Sequence, residues 1–286
     1  MHHEPNSPDA LLLGAKAEND GYSAFTDVRA HSNLAVYRAL AFGANRMSHK
    51  GTAVITGADT TIGTAFAHRL AQRGYDLILI AANRPRLMIL AASLTDSSGR
   101  SIEVLNADLA VPTEIARIEG VLSQDASITM LINHHSVTEA HETGAAIALG
   151  VTALMCFSDA LVNGFVKRNT GIVINLVPVF EASSGSAIQS ASSAFLLSLS
   201  DTLQQRFNNL SVRVQTVLYA GLQPIHFQSA VAIVDAALED FDYGEAISLP
   251  TFAHRSAWNA FAAARLELLG KIGRESGTVT PARLLH

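Results

Sequence analysis

Residues 52–63 read Thr-Ala-Val-Ile-Thr-Gly-Ala-Asp-Thr-Thr-Ile-Gly and carry the clearest chemical pattern in the chain. A β-branched run enters a turn at Gly57, and Ile62-Gly63 opens a helix behind it. Unpaired N–H groups at a helix start, with the positive end of the helix dipole, favour a pyrophosphate. Glycine lets the backbone approach it closely. The pattern is that of a dinucleotide-binding turn, although Thr61 stands where a middle glycine is expected. Asp59 adds a carboxylate beside the phosphate position. Further on, His134 and His135 end a strand at the crevice where such folds hold ligands. An imidazole titrates near neutrality and can act as acid or base. With His141 and Glu142 the pair also has metal-ligand chemistry. The favoured reading is packing without a metal site. Tyr219, at another strand end, is read as a pocket wall, and Ser190, Ser192 and Ser193 as side chains that permit close helix packing.

Strands must position these residues. Apolar runs at 52–56, 76–81, 102–107, 128–133, 171–177, 212–218 and 245–249 suit strands buried on both faces of a parallel sheet. Helices are expected at 62–73, 86–94, 113–122, 145–166, 187–208 and 230–239. Right-handed crossovers then give an α/β, Rossmann-type doubly wound sheet in the order 3-2-1-4-5-6-7, filling one domain over 51–286. Residues 1–50 form an extension: 1–20 is polar and expected to be mobile, and 32–47 reads as a helix that Ser32 can cap. The helices at 145–166 and 187–208 are apolar around more than one stripe. Their second faces predict a homo-oligomer, a dimer or tetramer, with a hetero-partner as the other use of such a face.

Composition bounds the function. The 286 residues are 49% hydrophobic and 16% charged, enough for a sizeable core. A net charge of −5 argues against a nucleic-acid surface. No apolar run reaches the roughly 18 residues of a membrane span, so no membrane partner is expected. A single cysteine, Cys156, fits a reducing, cytoplasmic setting.

The order of the pieces resembles the short-chain dehydrogenase/reductase family over about residues 51–265. Thr56-Gly57 with Ile62-Gly63 resembles that family's Thr-Gly-x-x-x-Gly-Ile-Gly loop. Ala107-Asp108-Leu109 is similar to its adenine-contacting Asp-Leu. Leu131-Ile132-Asn133 resembles the start of its Asn-Asn-Ala-Gly strand end. Residues 147–154 resemble its central helix, 171–175 the strand of its catalytic serine, and 185–194 its Tyr-x-x-x-Lys stretch. The resemblance implies hydride transfer between a nicotinamide and an alcohol or ketone. A tyrosine passes the proton, a lysine one turn on lowers its pKa, a serine holds the substrate oxygen and an asparagine supports a relay. It also implies cofactor contacts at Gly57, Ile62, Gly63, Asp108, Leu109 and Asn133.

None of the catalytic residues is kept. Gln189 stands at the tyrosine position, Ser193 at the lysine, Pro178 at the serine and Gly150 at the asparagine. None of the five tyrosines is followed by lysine four residues on. Gln189 cannot pass a proton near neutral pH, and Pro178 has neither hydroxyl nor N–H. Ala82 and Asn83 end the second strand with neither the acid that holds a ribose diol nor an arginine for a 2′-phosphate, although Arg84 and Arg86 follow. Tyr219-Ala220 replaces the family's Pro-Gly. The expectation is a catalytically degenerate member that binds a ligand, scaffolds or regulates, with no cofactor or weakly bound NAD(H) and with NADP(H) disfavoured. The alternative is an enzyme whose chemistry has moved to His134, His135 or Tyr219.

Overall fold

Every strand expected from the sequence forms, and all pair in parallel in one seven-stranded sheet of order β3-β2-β1-β4-β5-β6-β7. They are β1 (Thr52–Thr56), β2 (Asp76–Ala81), β3 (Ile102–Asn106), β4 (Ile128–Asn133), β5 (Gly171–Val179), β6 (Val212–Ala220) and β7 (Ile247–Ser248). The computed structural model describes residues 49–134, 143–147, 151–180, 187–221, 225–252 and 255–275. The N-terminal extension with its helix at 32–47, and the positions His135, His141, Glu142 and Gly150, lie outside the described residues.

The helices between the strands are α1 (Thr61–Gln72), α2 (Arg84–Ser98), α3 (Pro112–Gln124), α4 (Thr143–Ile147), α5 (Ala153–Arg168), α6 (Ala187–Phe207), α7 (Phe227–Asp242) and α8 (Arg255–Glu275). α2 outruns its expected span of 86–94 at both ends. Asn83 Oδ1 accepts the Arg86 N–H at 3.1 Å, which starts the helix early, and Gly99 closes it at φ 66°. The segment 145–166, read as one helix, overlaps the short α4 and the longer α5, which start and end two residues outside it. α8 was not foreseen from the sequence; its Phe261, Leu266 and Leu268 are exposed. Among the described residues no helix is long and apolar enough to cross a membrane.

Apolar side chains fill both faces of the sheet. One layer joins Ile55, Phe66, Leu79, Ile132 and Phe241, and the other joins Val54, Ile80, Phe157, Phe165 and Phe207. β5 runs two residues past its expected end and carries Pro178 inside it, in register with Tyr219. The reason is local. The last described β4 pairing sets Asn133 opposite Asn175, so among the described residues no strand neighbour calls on the N–H that proline lacks. Val179 turns its carbonyl to Gly221 on the β6 side; alternation turns that of Pro178 the other way.

At the far edge, β7 pairs only with Thr216 and Val217 of β6. Below that point the amide of Gln204 in α6 lies along the open side, with Nε2 3.4 Å from the Val214 carbonyl and 3.1 Å from that of Ala246.

Candidate functional site

The crevice lies at the carboxyl ends of β1 and β4, where the strand order reverses. Gly57 leaves β1 at φ 59°, a conformation that favours glycine. Thr60 then caps α1: its Oγ1 accepts the Gly63 N–H at 3.0 Å and donates to the Gly57 carbonyl at 2.8 Å. A Cβ on Gly63 would come within 2.2 Å of that carbonyl oxygen, so the turn closes only around glycine. Thr61 and Asp59 are half-exposed on the rim, while Ile62 is buried.

His134 closes the inner side. Thr56 clamps its backbone: the His134 N–H donates to Thr56 Oγ1 at 2.9 Å, and that hydroxyl donates to the His134 carbonyl at 2.8 Å. The imidazole is 3% exposed. Its Nδ1 lies 3.1 Å from Thr60 Oγ1 and its Nε2 3.4 Å from the Tyr219 hydroxyl. Thr60 has one hydroxyl proton and spends it on Gly57, so Nδ1 carries the ring proton and Nε2 accepts from Tyr219. Burial lowers the His134 pKa to about 4 against a smaller opposing effect of the Gly57 carbonyl. Burial likewise pushes the Tyr219 phenol up. At neutral pH the pair is an uncharged bridge from the β1–α1 turn to the end of β6.

The family's catalytic positions meet on β5 and α6. Ser193 Oγ lies 2.7 Å from the Pro178 carbonyl and 3.0 Å from that of Gln189, and its one proton serves both. Three of the substituted positions are therefore brought together, but through backbone acceptors. Gln189 is half-buried in the first turn of α6.

The cofactor positions divide. Asn133 is fully buried, and its Nδ2 donates to Asn175 Oδ1 at 2.8 Å and to Ser158 Oγ at 3.1 Å. Asn175 passes the chain on to Ser200 Oγ at 2.8 Å. That network ties β4 and β5 to α5 and α6 and turns the Asn133 side chain into the sheet. Leu109 is buried, whereas Asp108 is exposed and holds the Ala110 N–H at 2.9 Å. Asn106, on the same rim, donates to the carbonyls of Ala81 and Ala82 at 3.0 and 2.8 Å. Thr60, Asn175, Ser158 and Ser200 were not singled out in the sequence. Only Thr60 carried a usable signal, a threonine just ahead of a helix. Among the described residues no group of three His, Cys, Asp or Glu could hold a metal.

The profile of the short chain dehydrogenase family matches residues 51–230. The 17-beta-hydroxysteroid dehydrogenase type 3 of Homo sapiens is 26% identical over 182 residues, which are 58% of this chain and 57% of that protein. The inactive hydroxysteroid dehydrogenase-like protein 1 of Homo sapiens is 27% identical over 184 residues, 58% of this chain and 54% of that protein. The chain thus spans just over half the length of the curated relatives it matches. A solved short-chain dehydrogenase from Sphingobium yanoikuyae in complex with NADPH is 33% identical, with a TM-score of 0.71 over 82% of this chain and 98% of that one.

Proposed function

Since the chain belongs to the short-chain dehydrogenase family, we propose that it is a member that has lost nicotinamide-dependent hydride transfer and serves as a ligand-binding, scaffolding or regulatory subunit. One observation carries this reading: where the family places a tyrosine and its activating lysine, the Ser193 hydroxyl is spent on the backbone carbonyls of Pro178 and Gln189. Ser193 brings no positive charge to lower a neighbouring pKa, and the Gln189 amide cannot pass a proton near neutral pH. Removing one positioned acid or base typically costs about a hundred- to ten-thousand-fold. The two human relatives point in both directions, one being called a dehydrogenase and the other inactive.

A second reading, relocated catalysis, draws on the contact between His134 and Tyr219. It asks a buried, neutral imidazole and a phenol of raised pKa to trade protons with a substrate. Both side chains are at most 3% exposed, which favours the first reading. His135 lies outside the described residues.

For the cofactor, the proposal is none or weak NAD(H), with NADP(H) disfavoured. Asp59 adds a carboxylate to the turn where a phosphate would bind, and Ala82 offers no cation. The NADPH complex of the 33%-identical relative weighs the other way, so the titration must include both reduced nicotinamides. The chain is expected to show no turnover above background on a panel of alcohols and ketones, followed by nicotinamide absorbance, and neither cofactor is expected to bind at micromolar concentration in a fluorescence titration. Activity that His134→Ala abolishes would establish the second reading instead. Activity that survives removal of both His134 and Tyr219 would defeat both.

The same proposal includes a homo-oligomer assembled through α5 and α6 in a reducing, cytoplasmic setting, with a hetero-partner as the alternative occupant of those helices. Met155 on α5 is 41% exposed. Light scattering at micromolar concentration is expected to give a dimer or tetramer, consistent with an interface of roughly 1,200 Å² or more. A monomer would remove the assembly from the proposal.

A further inference from the structure

A second recess adjoins the β1–β4 crevice, sharing Asp59 and Thr61 with its rim, and runs along the outer side of α1 between α2 and the start of α7. Its volume is about 440 Å³, within the range of small-molecule sites. The walls are of two kinds. Ile89, Leu90 and Phe227 are apolar, and Ile89 and Phe227 are 72% and 48% exposed. Exposed apolar side chains gathered beside a recess mark a surface that a ligand can cover. His68 stands edge-on to Phe227 with ring centroids 6.5 Å apart.

The polar wall is Arg86. Arg69, Arg73, Arg117, Arg255 and Arg265 each face a carboxylate. Among the described residues nothing faces the guanidinium of Arg86; only its backbone N–H is engaged, by Asn83. Across the recess α7, a helix of 16 residues, begins at Phe227 with no side-chain bond from its cap residue His226. Among the described residues no side chain bonds its first N–H groups, which stand at the positive end of the helix dipole. A free guanidinium and an uncapped helix start on one recess both call for an anion. Asp59 also lines it, and its carboxylate penalises a second negative charge on the guest. His68 adds no cation, because burial first and Arg69 second lower its pKa.

We propose that this recess binds a small monoanion with an apolar body, an aryl or alkyl carboxylate or sulfonate, its head at Arg86 and its body on Ile89 and Phe227. The site goes beyond the loss of hydride transfer and does not depend on it, so either outcome of the turnover panel leaves its test intact. The test is a fluorescence titration of the full chain with 8-anilinonaphthalene-1-sulfonate, whose one sulfonate and fused rings match the two walls. Saturable binding of one dye per chain is expected. Arg86→Glu and Ile89→Asp should each weaken it about tenfold or more, the scale of a lost charge-assisted contact. Arg84→Glu makes the same charge change on the same helix outside the recess and should weaken it less than about threefold, as screening dictates. Arg86 and Ile89 are both exposed, and unchanged far-ultraviolet circular dichroism will confirm that the variants fold. The proposal is overturned by absence of saturable binding, by equal losses in Arg86→Glu and Arg84→Glu, or by insensitivity to Ile89→Asp. Displacement of the dye by NADPH would put a cofactor phosphate on Arg86 and also overturn it.

Discussion

Acidification from pH 7 to pH 4 is expected to remove about 3 kcal/mol of folding stability through His134 alone. In the fold its pKa is about 4, against 6.5 for the free side chain. Protons therefore bind the unfolded chain first. The stabilisation is complete above pH 6.5, falls as the pH drops through the window between the two values, and levels off once both states are protonated. Charging the ring costs the desolvation of a cation in the core, and Nε2 would then have to give up the Tyr219 proton it accepts. Urea denaturation at pH 7 and pH 4.5 of the parent chain and of His134→Gln provides the measurement. Gln cannot titrate, so its stability should vary less with pH than the parent's. Equal losses in the two proteins would show that the imidazole is not held neutral in the core.

Gly63→Ala is expected to cost about 3 kcal/mol or to prevent folding. The added methyl carbon would stand 2.2 Å from the Gly57 oxygen and 2.8 Å from Ala58 Cα. Both obstacles are backbone, and that backbone is pinned by the Thr60 hydroxyl and by the run of β1 into the core. No side-chain rotation relieves the contact. Gly120→Ala in α3 is the matched control, because nothing lies within 4 Å of its new carbon. There the same change should stabilise by up to about 1 kcal/mol, through better helix propensity. Thermal melts of the two variants beside the parent decide the matter. A Gly63→Ala chain as stable as the parent would mean that the turn is looser than its geometry requires.

The sequence carried the sheet well because strands buried on both faces write themselves as continuous apolar runs. Ile55, Leu79 and Ile132 are fully buried members of three such runs. Pro178 was harder. A proline argues for the end of a strand, yet Pro178 keeps its register with Tyr219 of β6. The candidate site was legible as positions and not as contacts. His134 and Tyr219 stood out as chemistry-bearing strand ends, yet 85 residues separate them. Nothing in local spacing foretells that they share a proton. Asn133 shows the opposite limit. Its place in a motif suggested a ligand contact, but gave no sign that its side chain bonds Ser158 of α5 and Asn175 of β5. Such a choice depends on what the neighbouring strand and helices offer.

The shortness of β7 has a consequence for how the chain behaves in company. Strand edges invite a neighbouring molecule to add a strand of its own, the usual route to aggregates and exchanged segments. β6 has nine residues and only Thr216 and Val217 are covered by β7. The carbonyl an intruding strand would seek first, that of Val214, already has the Gln204 amide beside it. That amide belongs to a helix and offers no further backbone to extend the ladder. One glutamine, remote from the crevice, thus acts as a stopper at the end of the sheet.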